Sequence, residues 1–199
     1  MIQKSGTGFK RTRPTYAFLR MVSYYALQLA QRPGEESNRF SNCMTSMVFS
    51  AFCLEAYLNH LGKDRISLWD AFEKLAPNEK LDELAKALKF RPDFGQRPYQ
   101  TFRAIFKLRN LLVHAKTETL YQDGEFVLEP GEPNFSPIAR WETEISIERA
   151  TRFLDDTKVI VCDLSERAGL SIDEIFAAEI VEINETRTVF HHIEGYSSS

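Results

Sequence analysis

Cysteine, long apolar runs and the signature motifs of common enzyme classes are what this chain has little of. Its three cysteines (Cys43, Cys53 and Cys162) are odd in number among 199 residues. They lack metal-ligand spacing and sit in apolar, helix-like contexts, so reduced, buried thiols are expected rather than a disulfide framework. No run approaches the ~18 apolar residues that would cross a bilayer. The start, MIQKSGTGFKRTRP, has no apolar leader core, so a cytoplasmic chain with no membrane partner is expected. Without secretion, the glycosylation patterns at Asn134 and Asn184 carry no meaning. P-loop, G-x-S-x-G and H-E-x-x-H motifs are absent, and Gly6-x-Gly8 lacks the strand–helix setting of a nucleotide loop. His191-His192 with Glu194 has metal-ligand residue types but stands near the end of the chain, and no metal or cofactor is expected.

Acid is missing from one stretch. From Phe94 to Thr117 there are five Lys/Arg and no Asp or Glu. The net charge of −3 therefore hides a division. Residues 1–117 hold 19 Lys+Arg against 10 Asp+Glu, a net of +9, and residues 118–199 hold 6 against 18, a net of −12. A polyanion would be drawn to the first part and repelled by the second; alternatively the two parts attract each other across the fold or across a dimer. Apolar content of 43% and charged content of 27% are ordinary for one globular domain with a modest appendage.

What is present is mostly helix. Residues 1–14, with Lys4, Lys10, Arg11 and Arg13 among Ser, Gly and Thr, read as a mobile basic arm. Thr15–Gln31 follows as a helix on Ala17, Met21, Tyr24, Tyr25, Leu27 and Leu29, stopped by Arg32-Pro33-Gly34. Ser37–Leu61 is a long, nearly all-apolar second helix with Gly62 at its C′ position, suited to the centre of a bundle. Ser67–Ala76 and Asn78–Lys89 read as short amphipathic helices, followed by the breaker-rich loop Arg91–Pro98. After a helix over Tyr99–Lys116, the Asp123-Gly124 turn predicts a small hairpin across Thr119–Glu129. Ile147–Ala168 returns to helix, and Ser171 with Glu174 forms a capping box for a short one. Glu179–Ile193 alternates and is β-prone; it reads as strands pairing with that hairpin, or as an arm on a partner. The expected fold is thus an all-α bundle over residues 15–169. A hairpin/loop insertion spans 117–140, and a helix/strand appendage covers 170–199.

The Tyr99–Lys116 helix carries the chemistry. At about 100° per residue, Phe102, Ile105, Phe106, Leu108, Leu112 and Val113 form one apolar arc, with Arg103, Lys107, Asn110 and His114 on a polar stripe beside it. Arg109 falls inside the apolar arc. A guanidinium cannot shed its charge, so it must meet a carboxylate there, or the arc must border a cleft or a second chain. Glu55 is the one acid in the apolar stretch of the second helix and is the natural partner, although Arg20 or His60 could claim it instead. Asn59, one turn further on, could join the same network. Arg97 and Arg91 lie on the loop just before, placed for phosphate capture, and Arg103, Lys107 and Lys116 extend that basic surface. For His114 itself the simplest reading is a hydrogen-bonded histidine at a helix C-terminus, where the dipole favours imidazolium.

Arg109-Asn110-Leu111-Leu112-Val113-His114, an Arg and a His spaced by a polar residue and apolar filler, resembles the ribonuclease motif of the HEPN superfamily. The long helix Met47–Leu61 resembles that superfamily's central helix, and the resemblance covers roughly residues 15–169. It implies an all-α domain that cleaves RNA without metal, by attack of the 2′-hydroxyl on its own phosphodiester. His114 would then move the protons, Arg109 would face the pentavalent phosphorane, and Asn110 would orient the imidazole or hold a phosphate oxygen. Members dimerise so that two motifs share one cleft, which implies a homodimer here, and many serve as toxins or antiphage effectors with an antitoxin or operon partner. Lys116 stands where the adenylylated toxin branch has Tyr, so that form of regulation is not expected. Other members bind RNA, a nucleotide or a protein without cutting, which is the alternative.

Overall fold

The computed structural model describes residues 9–34, 36–121, 137–183 and 186–191. It is mostly helical. In chain order the elements are strand β1 (Phe9–Thr12), helices α1 (Thr15–Ala30) and α2 (Glu36–Arg65), and a 3₁₀ turn at Trp69–Ala71. Helices α3 (Pro77–Ala87) and α4 (Tyr99–Val113), a second 3₁₀ turn at Glu142–Glu144, and helix α5 (Ile147–Arg167) follow. The short α6 (Ile172–Ile175) and strands β2 (Ala177–Ile183) and β3 (Thr186–His191) complete the order.

Helix α2 is the axis of the bundle, because it packs against α1, α3, α4 and α5. Its Cys43, Met47, Ala51, Cys53, Leu54, Tyr57, Leu58 and Leu61 are all buried. An element apolar on nearly every side has to be enclosed on every side. Small polar residues set the α1–α2 spacing: the Ser23 hydroxyl donates to the Ser46 carbonyl at 2.8 Å and lies 2.9 Å from the Ser50 hydroxyl. All three serines are fully buried, and these bonds spare them the cost of unpaired burial. Since α1 buries this small-residue face, Tyr25 and Leu29, placed by periodicity in the core, stand exposed instead. Val159 on α5 is likewise 48% exposed. Cys162 is half-buried rather than enclosed.

Four further elements differ from the local pattern. Residues 9–12 of the basic arm form β1, which pairs antiparallel with β2 from Phe9↔Ile183 to Thr12↔Ile180 and sets Lys10 opposite Glu182. An open edge of β2 supplies backbone partners that the arm's composition does not announce. Strands β2 and β3 pair with each other, giving the order β1-β2-β3 among the described residues. The hairpin expected after α4 falls largely outside the described residues, and Thr117–Tyr121 are irregular. The helix over Ser67–Ala76 shrinks to one 3₁₀ turn behind Leu68, whose φ of 63° is left-handed.

Gly62 is the fourth case. It lies inside α2 rather than capping it, because the ring of Trp69 packs flat on the bare backbone; a Cβ at residue 62 would meet Trp69 carbons at 2.3–2.4 Å. Trp69 is only 3% exposed and has nowhere to retreat. Gly62→Ala would gain about 1 kcal/mol of helix propensity but, against an enclosed ring at that distance, incur overpacking in the upper part of the usual range, roughly 2–3 kcal/mol. We expect a net loss of about 1–2 kcal/mol by urea unfolding; an unchanged or higher midpoint would refute the ring contact.

Candidate functional site

Helix α4 is fastened to α5 at its start. Arg97 donates through Nε and Nη2 to the two oxygens of Asp156, each at 2.9 Å, and Asp156 is 4% exposed. Two turns along α5, the buried Tyr99 hydroxyl donates to Asp163 at 2.5 Å, and Arg167 donates to both oxygens of the same carboxylate. Burial first, and the carboxylate beside it second, push the Tyr99 hydroxyl far above the usual phenol range. Asp163 is held below the usual carboxylate range: partial burial opposes this, but the bonds from Arg167 and Tyr99 outweigh it. Charge-assisted, bidentate contacts of this kind fix register as well as contribute energy. Arg97, expected to capture phosphate, spends Nε and Nη2 on Asp156 while its side chain stays 54% exposed, so it braces the loop before α4.

From that anchor α4 buries Phe102, Ile105, Phe106 and Leu108 and leaves Arg103, Lys107, Asn110 and His114 all exposed, so the polar stripe faces solvent along its whole length. Lys116 continues it beyond the helix and is exposed too. Residue 114 is the C-cap of α4; its backbone N–H donates to the Asn110 carbonyl at 3.0 Å.

Arg109 meets a carboxylate. Its Nη2 lies 3.5 Å from Oε2 of Glu55, the two side chains being 28% and 25% exposed. Its Nη1 donates to Oδ1 of Asn110 at 3.0 Å. The guanidinium therefore links the interior carboxylate to the exposed stripe, and Asn110 stands one turn before His114. Arg109 and His114 make no direct contact among the described residues; Asn110 accepts from Arg109 on its side-chain oxygen and from the His114 backbone N–H on its carbonyl. With Nε enclosed, one N–H on each terminal nitrogen of Arg109 is left for a ligand oxygen. The other claimants on Glu55 are occupied elsewhere: Arg20 lies 4.6 Å over the ring of Phe176, and His60 packs against Tyr16. Asn59 is half-buried with its Oδ1 enclosed and unpartnered, so it is not part of the Arg109 chain.

Lys80 of α3 completes the arrangement, and local periodicity does not mark it out. Its Nζ lies 3.4 Å from Oε1 of Glu55, and its side chain is only 2% exposed. Glu55 thus serves two cations, one on each oxygen, and the three groups together carry net positive charge. The available signal is position: Lys80 stands one turn before the buried Leu84, on the face that α3 turns inward.

Beside the end of α4 lies an apolar groove of about 470 Å³ formed by Met44, Val48, Phe49, Leu112, Ala115 and Trp141. Exposed Phe40, Phe52 and Val113 are further apolar side chains of these same two helices. Among the described residues no helix is long and apolar enough to cross a membrane. No family model, curated protein or solved structure matches the chain.

Proposed function

We propose that this protein is a metal-independent endoribonuclease of HEPN type, working as a homodimer with a composite site, in the role of a toxin or antiphage effector. One observation carries the reading: Arg109, steadied by Glu55 at 3.5 Å, is coupled through Asn110 to an exposed stripe that ends at His114. The 2′-oxygen of a ribose forms a bond to the adjacent phosphorus, and the bond from phosphorus to the 5′-oxygen breaks. One imidazole takes the 2′-hydroxyl proton, a second gives a proton to the departing 5′-oxygen, and the products are a 2′,3′-cyclic phosphate and a 5′-hydroxyl. Arg109 stabilises the negative charge that builds on the phosphorane oxygens. A single chain supplies one such histidine, so the second comes from a second copy. The apolar groove that flanks the end of α4 supports that pairing, because it places water-excluding surface beside the motif.

One observation favours a second reading, a non-catalytic module that binds RNA, a nucleotide or a protein: Glu55 partly neutralises Arg109, and His114 is not in contact with it. Incubation with a mixed RNA pool, with and without EDTA, separates the two. Cleavage that survives chelation and leaves cyclic phosphate ends is expected. Saturable, salt-sensitive binding with no cleavage of any RNA would replace the first reading by the second.

A further inference from the structure

The polar stripe of α4 runs away from His114 to a second place able to hold a ligand. Between α3, the loop before α4 and α4 itself is a cleft of about 560 Å³ lined by Asp82, Arg91, Pro92, Asp93, Phe94 and Arg103. That is the size of a site for one nucleotide-sized ligand. Arg103 is laid over the Phe94 ring, its central carbon 3.9 Å from the ring centroid. Phe94 is in turn held edge-on by Tyr99 at 6.3 Å. The guanidinium of Arg103 is therefore held against the Phe94 ring before anything binds. Neither Arg103 nor Arg91 makes a hydrogen bond or ion pair among the described residues, although two aspartates line the same cleft. The loop is braced independently, since Asp93 accepts the Gly95 N–H at 2.8 Å and Arg97 is clamped to Asp156. A rigid cleft with two unengaged arginines, a stacked guanidinium face and carboxylate acceptors matches a nucleotide. The arginines suit a phosphate, the guanidinium face suits a base, and the acids suit amino or hydroxyl donors.

We infer that this cleft is a subsite for one nucleotide of a single-stranded RNA whose scissile phosphate lies at His114, and this rests on the RNA-cleaving reading above. Arg103 precedes His114 by eleven residues, roughly 16 Å along the helix axis. That separation corresponds to on the order of five nucleotides at stacked spacing. Lys107 stands between them on the same exposed stripe, so the strand follows α4 from a held nucleotide to the cutting point.

The test uses the full chain carrying His114→Ala, so that RNA is bound without being cut. Binding of a labelled ten-nucleotide single-stranded RNA of mixed sequence is followed by fluorescence anisotropy over a range of salt. Arg91→Ala together with Arg103→Ala is expected to weaken binding by on the order of ten-fold and to flatten the salt dependence by about 0.7 for each phosphate no longer neutralised. Arg91→Ala alone, in an exposed loop residue, gives part of that loss and guards against a folding artefact at Arg103. Affinity and salt slope unchanged in both variants would overturn the subsite. Adenosine monophosphate is titrated in parallel: the ten-mer is expected to bind at least about a hundred-fold more tightly, given the further phosphates held along α4. Equal affinities would overturn the strand in favour of a free nucleotide. Cleavage by the unmodified protein is scored separately. If RNA is cut while the arginine variants bind as the parent does, the subsite fails and the nuclease reading stands. If nothing is cut while the variants lose binding, the nuclease reading fails, and the cleft remains a nucleotide-holding site of an RNA strand with no cutting point at His114.

Discussion

On the proposed nuclease reading, His114→Ala is expected to abolish RNA cleavage, lowering the rate by at least about a hundred-fold and up to ten-thousand-fold, while leaving the fold and the proposed dimer intact. The size follows from the chemistry. In a two-fold composite site the substitution removes both imidazoles at once, and water at neutral pH replaces neither. The sparing of the fold follows from the geometry. His114 is exposed at the C-cap of α4, and its structural bond is the backbone N–H to the Asn110 carbonyl, which alanine keeps. Its side chain makes no hydrogen bond among the described residues, so stability should stay within about 0.5 kcal/mol of the parent. Denaturation midpoint, elution volume and cleavage rate measured on one preparation decide the matter. A variant that cuts RNA at the parental rate removes His114 from the reaction and the nuclease reading with it.

The helices were legible because their signals are local. Pro14 and Pro33-Gly34 bracket α1, and Ser146 caps α5 by accepting the Arg149 N–H at 3.2 Å. Arg109 announced its own partner for a similar reason: a permanent charge in an apolar arc demands a counter-charge, and the central helix offers few. The alternation of Glu179–Ile193 made β2 and β3 legible as strands, but β1 was not, since it joins β2 by pairing Phe9 with Ile183, and no short window contains both. A glycine at a plausible helix end looks like a stop until the tryptophan seven residues on is seen to need its space. Arg97 shows the limit for function. On a breaker-rich loop before a basic helix it has the address of a phosphate ligand, but no local window shows that Asp156 of α5 meets it with a carboxylate. Lys80 shows the converse, for a lysine on an amphipathic helix looks solvated until the face that buries it is known.

Loss of the Glu55 carboxylate should be the most destabilising single change near the site. Glu55→Leu leaves a lysine that is 2% exposed and an arginine that is 28% exposed without their shared counter-charge. Removing one partner from a buried ion pair costs about 3–5 kcal/mol. Because Glu55 and Arg109 keep some access to water, the lower end applies, about 3 kcal/mol, or at least about 6 °C in melting temperature for a domain of this size. Adding Lys80→Met to Glu55→Leu should recover most of that loss, since a well-packed apolar pair replaces a buried ionic one at little or no cost. Glu55→Gln separates stability from positioning. It keeps the shape and a hydrogen-bonding oxygen but not the charge that steadies Arg109, so cleavage should fall by more than the change in folded fraction explains. Urea unfolding of the three variants, beside their cleavage rates, provides the test. If Glu55→Leu unfolds within about 0.5 kcal/mol of the parent, the carboxylate is not the counter-charge, and Arg109 loses the anchor that sets it before the stripe.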